Sequence, residues 1–189
     1  MPRNRLTAED WADAALAALV RGGLSAVAVE PLAAVLGATK GSCYWHFADR
    51  GALVDAALAL WEQRETEGVI ADLSTVEEPE ERLRLLLELV LTVQEADSVV
   101  RLFRDVDDAR VQAALERVTQ RRLGYLVEQL EACGFDPASA RTRGTLAYAA
   151  YLGWWQLRRT APDAAPAGPG ALPHVELLQE LLLGSGGPA

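Results

Sequence analysis

The segment TKGSCYWHF, residues 39–47, decides how the N-terminal part of this chain folds. It contains Lys40, the only lysine of the protein, and it follows a short apolar run, residues 32–36, that ends at Gly37. A helical run that stops at a glycine and resumes with a hydroxyl, a cation and aromatic residues is typical of a helix-turn-helix. Polar groups on the second helix of such a motif can reach phosphates and base edges in a DNA groove.

The residues before this segment predict two further helices. Thr7 and Asp10 have the spacing of a capping box, and the glycines at 22–23 end the first helix. The second helix is expected over residues 29–36. Its cap position holds Ala28, which has no side-chain oxygen and costs about 1 kcal/mol of capping.

The segment itself predicts a third helix over residues 40–47, and Asp49 can cap a fourth that continues to about residue 67. Arg50, at the start of the fourth helix, is expected to hold a phosphate. A short basic arm, residues 3–5, precedes the first helix.

Residues 7–58 resemble the DNA-binding domain of the tetracycline-repressor (TetR) family of bacterial transcription regulators. The matching positions are Gly23, Gly37, Thr39, Lys40, Gly41, Ser42, Tyr44, His46, Phe47, Arg50 and Leu53. The resemblance implies a DNA face made of Thr39, Lys40, Gly41, Ser42, Tyr44, Trp45 and His46.

Besides Ala28, which stands where the family usually has Ser or Thr, two residues of the segment 39–47 depart from the family's pattern. Trp45 is an unusual aromatic at a variable position, where it could touch a thymine methyl or be a partly buried surface residue. Cys43 replaces the usual leucine or isoleucine, and packing in the core is expected rather than redox sensing.

The net charge of −9 at first argues against a nucleic-acid partner. Residues 1–50, however, hold five basic and five acidic side chains, so the whole excess lies in residues 51–189. Since DNA affinity depends on cations at the interface, the charge is neutral evidence and mildly unfavourable to strong non-specific binding.

The remainder of the chain predicts five more helices, separated by turn signals. They are expected over residues 79–93, 98–106, 107–132, 136–159 and 174–183. A proline- and glycine-rich linker at 161–173 precedes the last helix, and the tail 184–189 is expected to be flexible.

The helix over residues 136–159 is apolar on nearly every side at its centre, which favours a protein core on one face and a second subunit on the other. The residues assigned to a dimer interface are Tyr148, Tyr151, Trp155, Leu178 and Leu181. By resemblance to the family, the C-terminal domain binds a small-molecule effector, and Phe103 and Trp154 are the candidate pocket residues. Per residue, a plain core role remains the simpler alternative.

Other classes of protein find little support in the sequence. Two distant cysteines, Cys43 and Cys133, without histidines at ligand spacing, favour neither a metal site nor a disulfide framework, so a reducing compartment is expected. No catalytic motif is present, and we expect neither enzymatic activity nor a cofactor. The start of the chain does not read as a signal peptide, and no stretch is long enough to span a bilayer, so a cytoplasmic protein is expected.

The sequence therefore predicts an all-α protein with two domains. Residues 1–50 form a three-helix helix-turn-helix DNA-binding domain, which a long helix joins to a helical effector-binding and dimerisation domain, residues 51–189. The expected function is ligand-responsive repression by a homodimer on a pseudo-palindromic operator in double-stranded DNA. The alternative is a helical ligand-binding or interaction protein with weakened DNA binding.

Overall fold

The structure, a computed structural model, describes residues 6–93 and 98–184, and all regular elements in those ranges are helices. The all-α prediction is therefore confirmed for the described part of the chain. The basic arm at 3–5 and residues 185–189 of the predicted tail lie outside the described residues.

Contacts group the chain into two compact units. One contains Met1–Glu67 and Arg101–Arg117, and the other contains Gly68–Val100 and Val118–Ala189. These units are a different division from the functional domains 1–50 and 51–189, which stay a prediction.

Ten helices lie within the described residues. They are α1 (Ala8–Gly22), α2 (Val29–Val35), α3 (Lys40–Tyr44), α4 (Arg50–Glu62), α5 (Gly68–Leu73), α6 (Pro79–Thr92), α7 (Ser98–Leu102), α8 (Ala109–Ala132), α9 (Pro137–Thr160) and α10 (Leu172–Leu183). The helices α1 to α4 belong to the first unit, α5, α6, α9 and α10 to the second, and α7 and α8 contribute residues to both.

The first unit is built on the packing of α1 against α4. Thr7 caps α1: its hydroxyl accepts from Asp10 N at 3.2 Å, while Thr7 N donates to the Asp10 carboxylate at 2.7 Å. This is the predicted capping box. Trp11 of α1 and Trp61 of α4 are completely buried, so two large aromatic side chains anchor the core of this unit.

The turn between α2 and α3 gives the motif its shape. Gly37 has φ of 62°, a left-handed conformation that glycine adopts without steric cost. As expected, Ala28 offers no side-chain hydrogen bond to the start of α2. The prediction that α3 runs to residue 47 is wrong, because the helix ends at Tyr44 and the chain must turn to bring Asp49 into the extended conformation of a cap.

Asp49 caps α4 as predicted, since its carboxylate accepts from Ala52 N at 2.8 Å. The α-helix ends at Glu62, and a π-helical turn, Gln63–Glu67, follows without a break, so helical structure reaches residue 67 as predicted. Trp61 Nε1 donates to the Glu65 carboxylate, which lies in this turn, at 3.1 Å. A wider turn of this kind is often found at functional positions in helices.

The second unit has caps at the predicted positions. Asp136 accepts from Ala138 N at 3.0 Å and from Ser139 N at 3.1 Å at the start of α9, and Gly134, with φ of 95°, follows the end of α8. The segment 161–173 is partly folded, because Gly168–Ala171 forms a 3₁₀ turn in which Ala171 is buried. The core includes Leu83, Leu87, Leu91, Tyr125, Leu130, Tyr148, Tyr151, Trp155, Val175 and Leu182.

Candidate nucleic-acid interface

The short helix α3 separates core-facing from exposed side chains. Cys43 is completely buried and Phe47 is 8% exposed, so both pack inside the first unit as predicted. Burial also raises the pKa of the Cys43 thiol. In contrast, Tyr44 is 52% and Trp45 is 78% exposed. A large exposed aromatic pair on a helix-turn-helix is unusual for a surface that only faces water, and it is compatible with a surface that binds a partner.

Small groups surround the start of α3. Thr39 holds the cap position in an extended conformation, and its hydroxyl is not used to cap the helix. A Cβ added at Gly41 would meet only Thr39 Oγ1, at an ordinary 3.7 Å. Because nothing inside the protein excludes a side chain at Gly41, a close approach from outside is the simplest reason for a glycine there.

Lys40 has a charged partner on the neighbouring helix. Its ammonium forms an ion pair with the carboxylate of Glu30 in α2, and the two side chains are 55% and 68% exposed. Sequence reasoning did not single out Glu30, because ten residues and a turn separate it from Lys40. The pair places a negative charge beside the one lysine of the predicted DNA face.

Arg50 is bound within the protein. Its Nε donates to the carbonyl of Val27, and its Nη2 donates to that of Leu24. These bonds tie the start of α4 to the turn that precedes α2, since Leu24–Ala26 is a 3₁₀ turn. The arginine therefore has a structural role beside its predicted contact with phosphate, which stays a prediction.

His46 also contacts the backbone of its own unit. Its Nε2 lies 3.0 Å from the carbonyl oxygen of Leu6, and the side chain is exposed. This bond joins the end of the α3 segment to the residue before the α1 cap. This position of His46 is compatible with a residue at the edge of the predicted DNA face.

A further contact in this unit was not foreseen from the sequence. Asp105, in the 3₁₀ turn Phe103–Asp105, accepts from Leu24 N at 3.0 Å. Gly23 precedes that amide with φ of 75° and ψ of −173°. A Cβ added there would lie 2.6 Å from Asp105 Oδ2, so the glycine allows the carboxylate to approach.

The predicted effector residues occupy different units. Phe103 belongs to the first unit and is 41% exposed, whereas Trp154 belongs to the second and is 8% exposed. Trp154 Nε1 donates to the carbonyl of Leu91 at 3.1 Å, and its ring centroid lies 4.8 Å from that of His174. Trp154 is therefore held in place by bonds inside its own unit.

The residues assigned to a dimer interface fall into two groups. Tyr148, Tyr151 and Trp155 are buried inside their own unit, at 7%, 5% and 1% exposure, and this leaves almost no surface that a partner could contact. Thr119 and Arg122 of α8 lie within hydrogen-bond distance of the two tyrosine hydroxyls, at 3.4 and 3.0 Å. The other two assigned residues, Leu178 and Leu181 of α10, are more exposed to solvent.

Leu181 is 64% exposed and Leu178 is half-buried, and both line a shallow groove between α9 and α10. The groove has a volume of about 670 Å³. Leu146, on the α9 side of the groove, is 63% exposed.

Neither a membrane-spanning helix nor a metal-binding cluster is found among the described residues. Within 6–93 and 98–184, no helix is both long and apolar enough to cross a membrane. The same ranges hold no group of three or more His, Cys, Asp or Glu residues placed to bind a metal ion.

Comparison with known proteins agrees with this geometry. Residues 12–57 match the family described as "Bacterial regulatory proteins, tetR family". No curated protein matches the sequence.

Several solved structures share the fold over most of the chain. A TetR transcriptional regulator from Legionella pneumophila superposes with a TM-score of 0.74 at 17% identity, covering 95% of this chain and 97% of its own. A putative transcriptional regulator from Saccharomonospora viridis, solved with choline, gives 0.72 at 16% identity, with 93% and 92% covered. The regulator FadR from Bacillus subtilis, solved with stearoyl-CoA, gives 0.69 at 14% identity, with 94% and 98% covered.

An exposed polar and aromatic surface at the second helix of a helix-turn-helix is typical of DNA-binding transcription regulators. Residues 12–57 match the tetR family of bacterial regulatory proteins, and the chain shares its all-helical fold with solved regulators over most of its length.

Proposed function

We propose that this protein is a homodimeric, ligand-responsive repressor that binds a pseudo-palindromic operator. The observation that supports it best is the arrangement of exposed groups around α3: Thr39, Lys40, Gly41, Tyr44, Trp45 and His46. Hydroxyls, a cation and aromatic rings on one short helix are suited to phosphates and base edges in a major groove. The role is regulatory rather than catalytic, and the site of action is the cytoplasm, where the DNA is.

Each subunit places α3 in a major groove. Thr39, Tyr44 and His46 contact the phosphates of the DNA backbone and set the register. Trp45 offers an apolar surface to a thymine methyl and one N–H donor. Two subunits read two half-sites when their recognition helices are about 34–36 Å apart, or a multiple of that distance. The operator is then an inverted repeat.

The dimer forms through the exposed apolar face of α9 and α10. Leu146 and Leu157 of α9 are 63% and 44% exposed, and Leu177 and Leu181 of α10 are 53% and 64% exposed. The positions between the α9 leucines include Ala150 and Gly153, both exposed, which allow close approach of a second helix. Pairing of two such faces gives a four-helix bundle with two-fold symmetry.

The interface has a direct test in the mass of the protein. Leu181→Glu puts a charge on this face, and light scattering should show a monomer where the wild type is a dimer. A charge change away from this face, at the exposed Arg159 on the opposite side of α9 from Leu157 (Arg159→Glu), should leave the dimer intact. If the wild type and Leu181→Glu are both dimers, or are both monomers, α9 and α10 do not form a dimer interface.

An effector is expected in the second unit, with Trp154 as a contact; Phe103 belongs to the first unit and is not assigned to this site. Structures similar to this chain contain a small cation, choline, in one case and a long acyl-CoA in another, so both belong in a first ligand panel. An effector changes DNA binding only if it binds the DNA-competent arrangement and the alternative one with different affinities.

The DNA-binding proposal is tested by selecting bound duplexes from a random DNA pool, with Tyr44→Ala in parallel. The proposal expects the wild type alone to enrich an inverted repeat. Tyr44 is half-exposed and contributes little to the core, so its loss should spare the fold. Absence of enrichment at low salt, with and without the ligand panel, would favour the ligand-binding or interaction protein with weakened DNA binding.

A further inference from the structure

The ion pair between Lys40 and Glu30 lies within the predicted DNA-binding surface. Lys40 is the first residue of α3, Glu30 is the second residue of α2, and more than half of each side chain is exposed. Two other basic groups of the predicted DNA face, His46 and Arg50, contact backbone carbonyls. Those acceptors are neutral, whereas the partner of Lys40 carries a full negative charge.

Two roles can be assigned to Glu30. A carboxylate in the first turn of a helix complements the helix dipole, and α2 lacks a side-chain cap at Ala28, so Glu30 could simply stabilise α2. Alternatively, it could control the charge that Lys40 presents to DNA. The first role predicts that the salt dependence of DNA binding does not change when Glu30 is replaced. The second role predicts that it does change.

Resting on the proposed DNA binding, we infer that Glu30 competes with DNA phosphate for the Lys40 ammonium. A lysine held by a carboxylate must give up that pair, or share it, when a phosphate arrives. Each phosphate that a cation neutralises releases counterions and steepens the salt dependence of binding by about 0.9 in log K against log[salt]. Glu30 therefore reduces the contribution of Lys40 to the salt dependence of DNA binding.

The competition weakens binding to any DNA sequence, because phosphates carry no sequence information. An exposed ion pair changes an equilibrium by a factor of roughly 1.5 to 5. Glu30 therefore limits how strongly the recognition helix binds DNA that offers no base contacts. Loss of the carboxylate should raise that affinity by a factor of this size.

The test measures binding to a labelled 30-base-pair duplex of random sequence by fluorescence anisotropy between 50 and 200 mM NaCl. For Glu30→Gln we expect roughly two- to fivefold tighter binding and a salt slope steeper by up to about 0.9. Thermal melting of each variant checks that the fold is retained.

Glu9→Gln is a matched control. Glu9 is the second residue of α1, is 72% exposed and is paired with Arg64, whose Nη2 lies 3.4 Å away. The substitution removes the same charge from the first turn of a helix in the same unit, but its partner Arg64 lies outside the predicted DNA face and remains paired with Asp13. Its affinity and slope should stay close to those of the wild type.

Lys40→Ala completes the cycle. If Glu30 acts through Lys40, the gain from Glu30→Gln should largely vanish in the Lys40→Ala background. A full gain without Lys40 would mean simple repulsion between Glu30 and DNA, and weaker binding by Glu30→Gln would mean that Glu30 positions Lys40; either result overturns the inference. Wild-type binding with an unchanged slope in Glu30→Gln overturns it while the proposed function stands, whereas no binding by any of these proteins rejects both.

Discussion

Gly23→Ala should destabilise the first unit strongly, and part of the cost should depend on Asp105. Gly23 has φ of 75° and ψ of −173°, a region that is essentially restricted to glycine. An alanine Cβ would lie 2.6 Å from Asp105 Oδ2, inside any normal contact distance. The substitution therefore strains the backbone and displaces the carboxylate.

The two contributions can be estimated separately. Holding a residue with a side chain in this backbone region costs on the order of 1–3 kcal/mol. Moving Asp105 away breaks its hydrogen bond from Leu24 N, which is 3.0 Å long and half-buried, and that loss costs about 1–2 kcal/mol. The sum is roughly 2–5 kcal/mol, a large part of the stability of a typical domain.

Urea denaturation followed by circular dichroism measures the effect on the free energy of unfolding, with Asp105→Ala as the second arm of a double-mutant cycle. Once the carboxylate is absent, only the backbone cost of Gly23→Ala should remain, so the coupling should be about 1 kcal/mol or more. Equal costs of Gly23→Ala in both backgrounds would show that Asp105 does not approach Gly23. A cost below about 0.5 kcal/mol would contradict the backbone argument as well.

Three further predictions concern single side chains. Arg50→Lys keeps the charge but loses the planar guanidinium fork, whose Nε and Nη2 donate to two separate carbonyls. Urea denaturation should therefore show a loss of about 1 kcal/mol, while the salt slope of DNA binding stays unchanged. Trp154→Phe removes the buried donor to the Leu91 carbonyl and should lower the free energy of unfolding by about 1–3 kcal/mol. An unchanged melting temperature in calorimetry would contradict this prediction. The Ser139 hydroxyl and then backbone N–H groups hold the pKa of Asp136 below its ordinary 3.8, so its stabilising effect is present above that pH and lost as pH falls through the lower folded value. Asp136→Ala should therefore melt earlier than wild type at neutral pH, and the difference should shrink as pH falls below 3.8; a difference that does not change with pH would exclude the carboxylate charge as its cause.

Features that depend on neighbouring residues could be predicted from the sequence. Thr7, Asp49 and Asp136 cap helices where their spacing indicated, because a cap involves groups only two or three residues apart. The buried position of Cys43 followed from the family resemblance, because that position is usually a leucine or isoleucine. Helix ends were less accurate, as the early end of α3 shows.

Features that depend on distant parts of the chain could not be predicted. Asp105 contacts Leu24 across 81 positions, and no local pattern marks that aspartate as different from its acidic neighbours. Arg50 looked like a phosphate contact, yet its guanidinium also reaches carbonyls 23 and 26 residues away. Burial of Tyr148 was also hidden, because α9 is apolar on all sides and its sequence does not say which side meets the core.

The most direct test of the central claim is the ratio of dissociation constants for the selected inverted repeat and for a shuffled duplex of the same composition, both at physiological salt. A sequence-specific regulator that reads DNA through α3 should prefer the repeat by about a thousandfold or more, and Tyr44→Ala should reduce that preference. A ratio within tenfold for the wild type would contradict the account, because α3 would then bind phosphates without reading the bases.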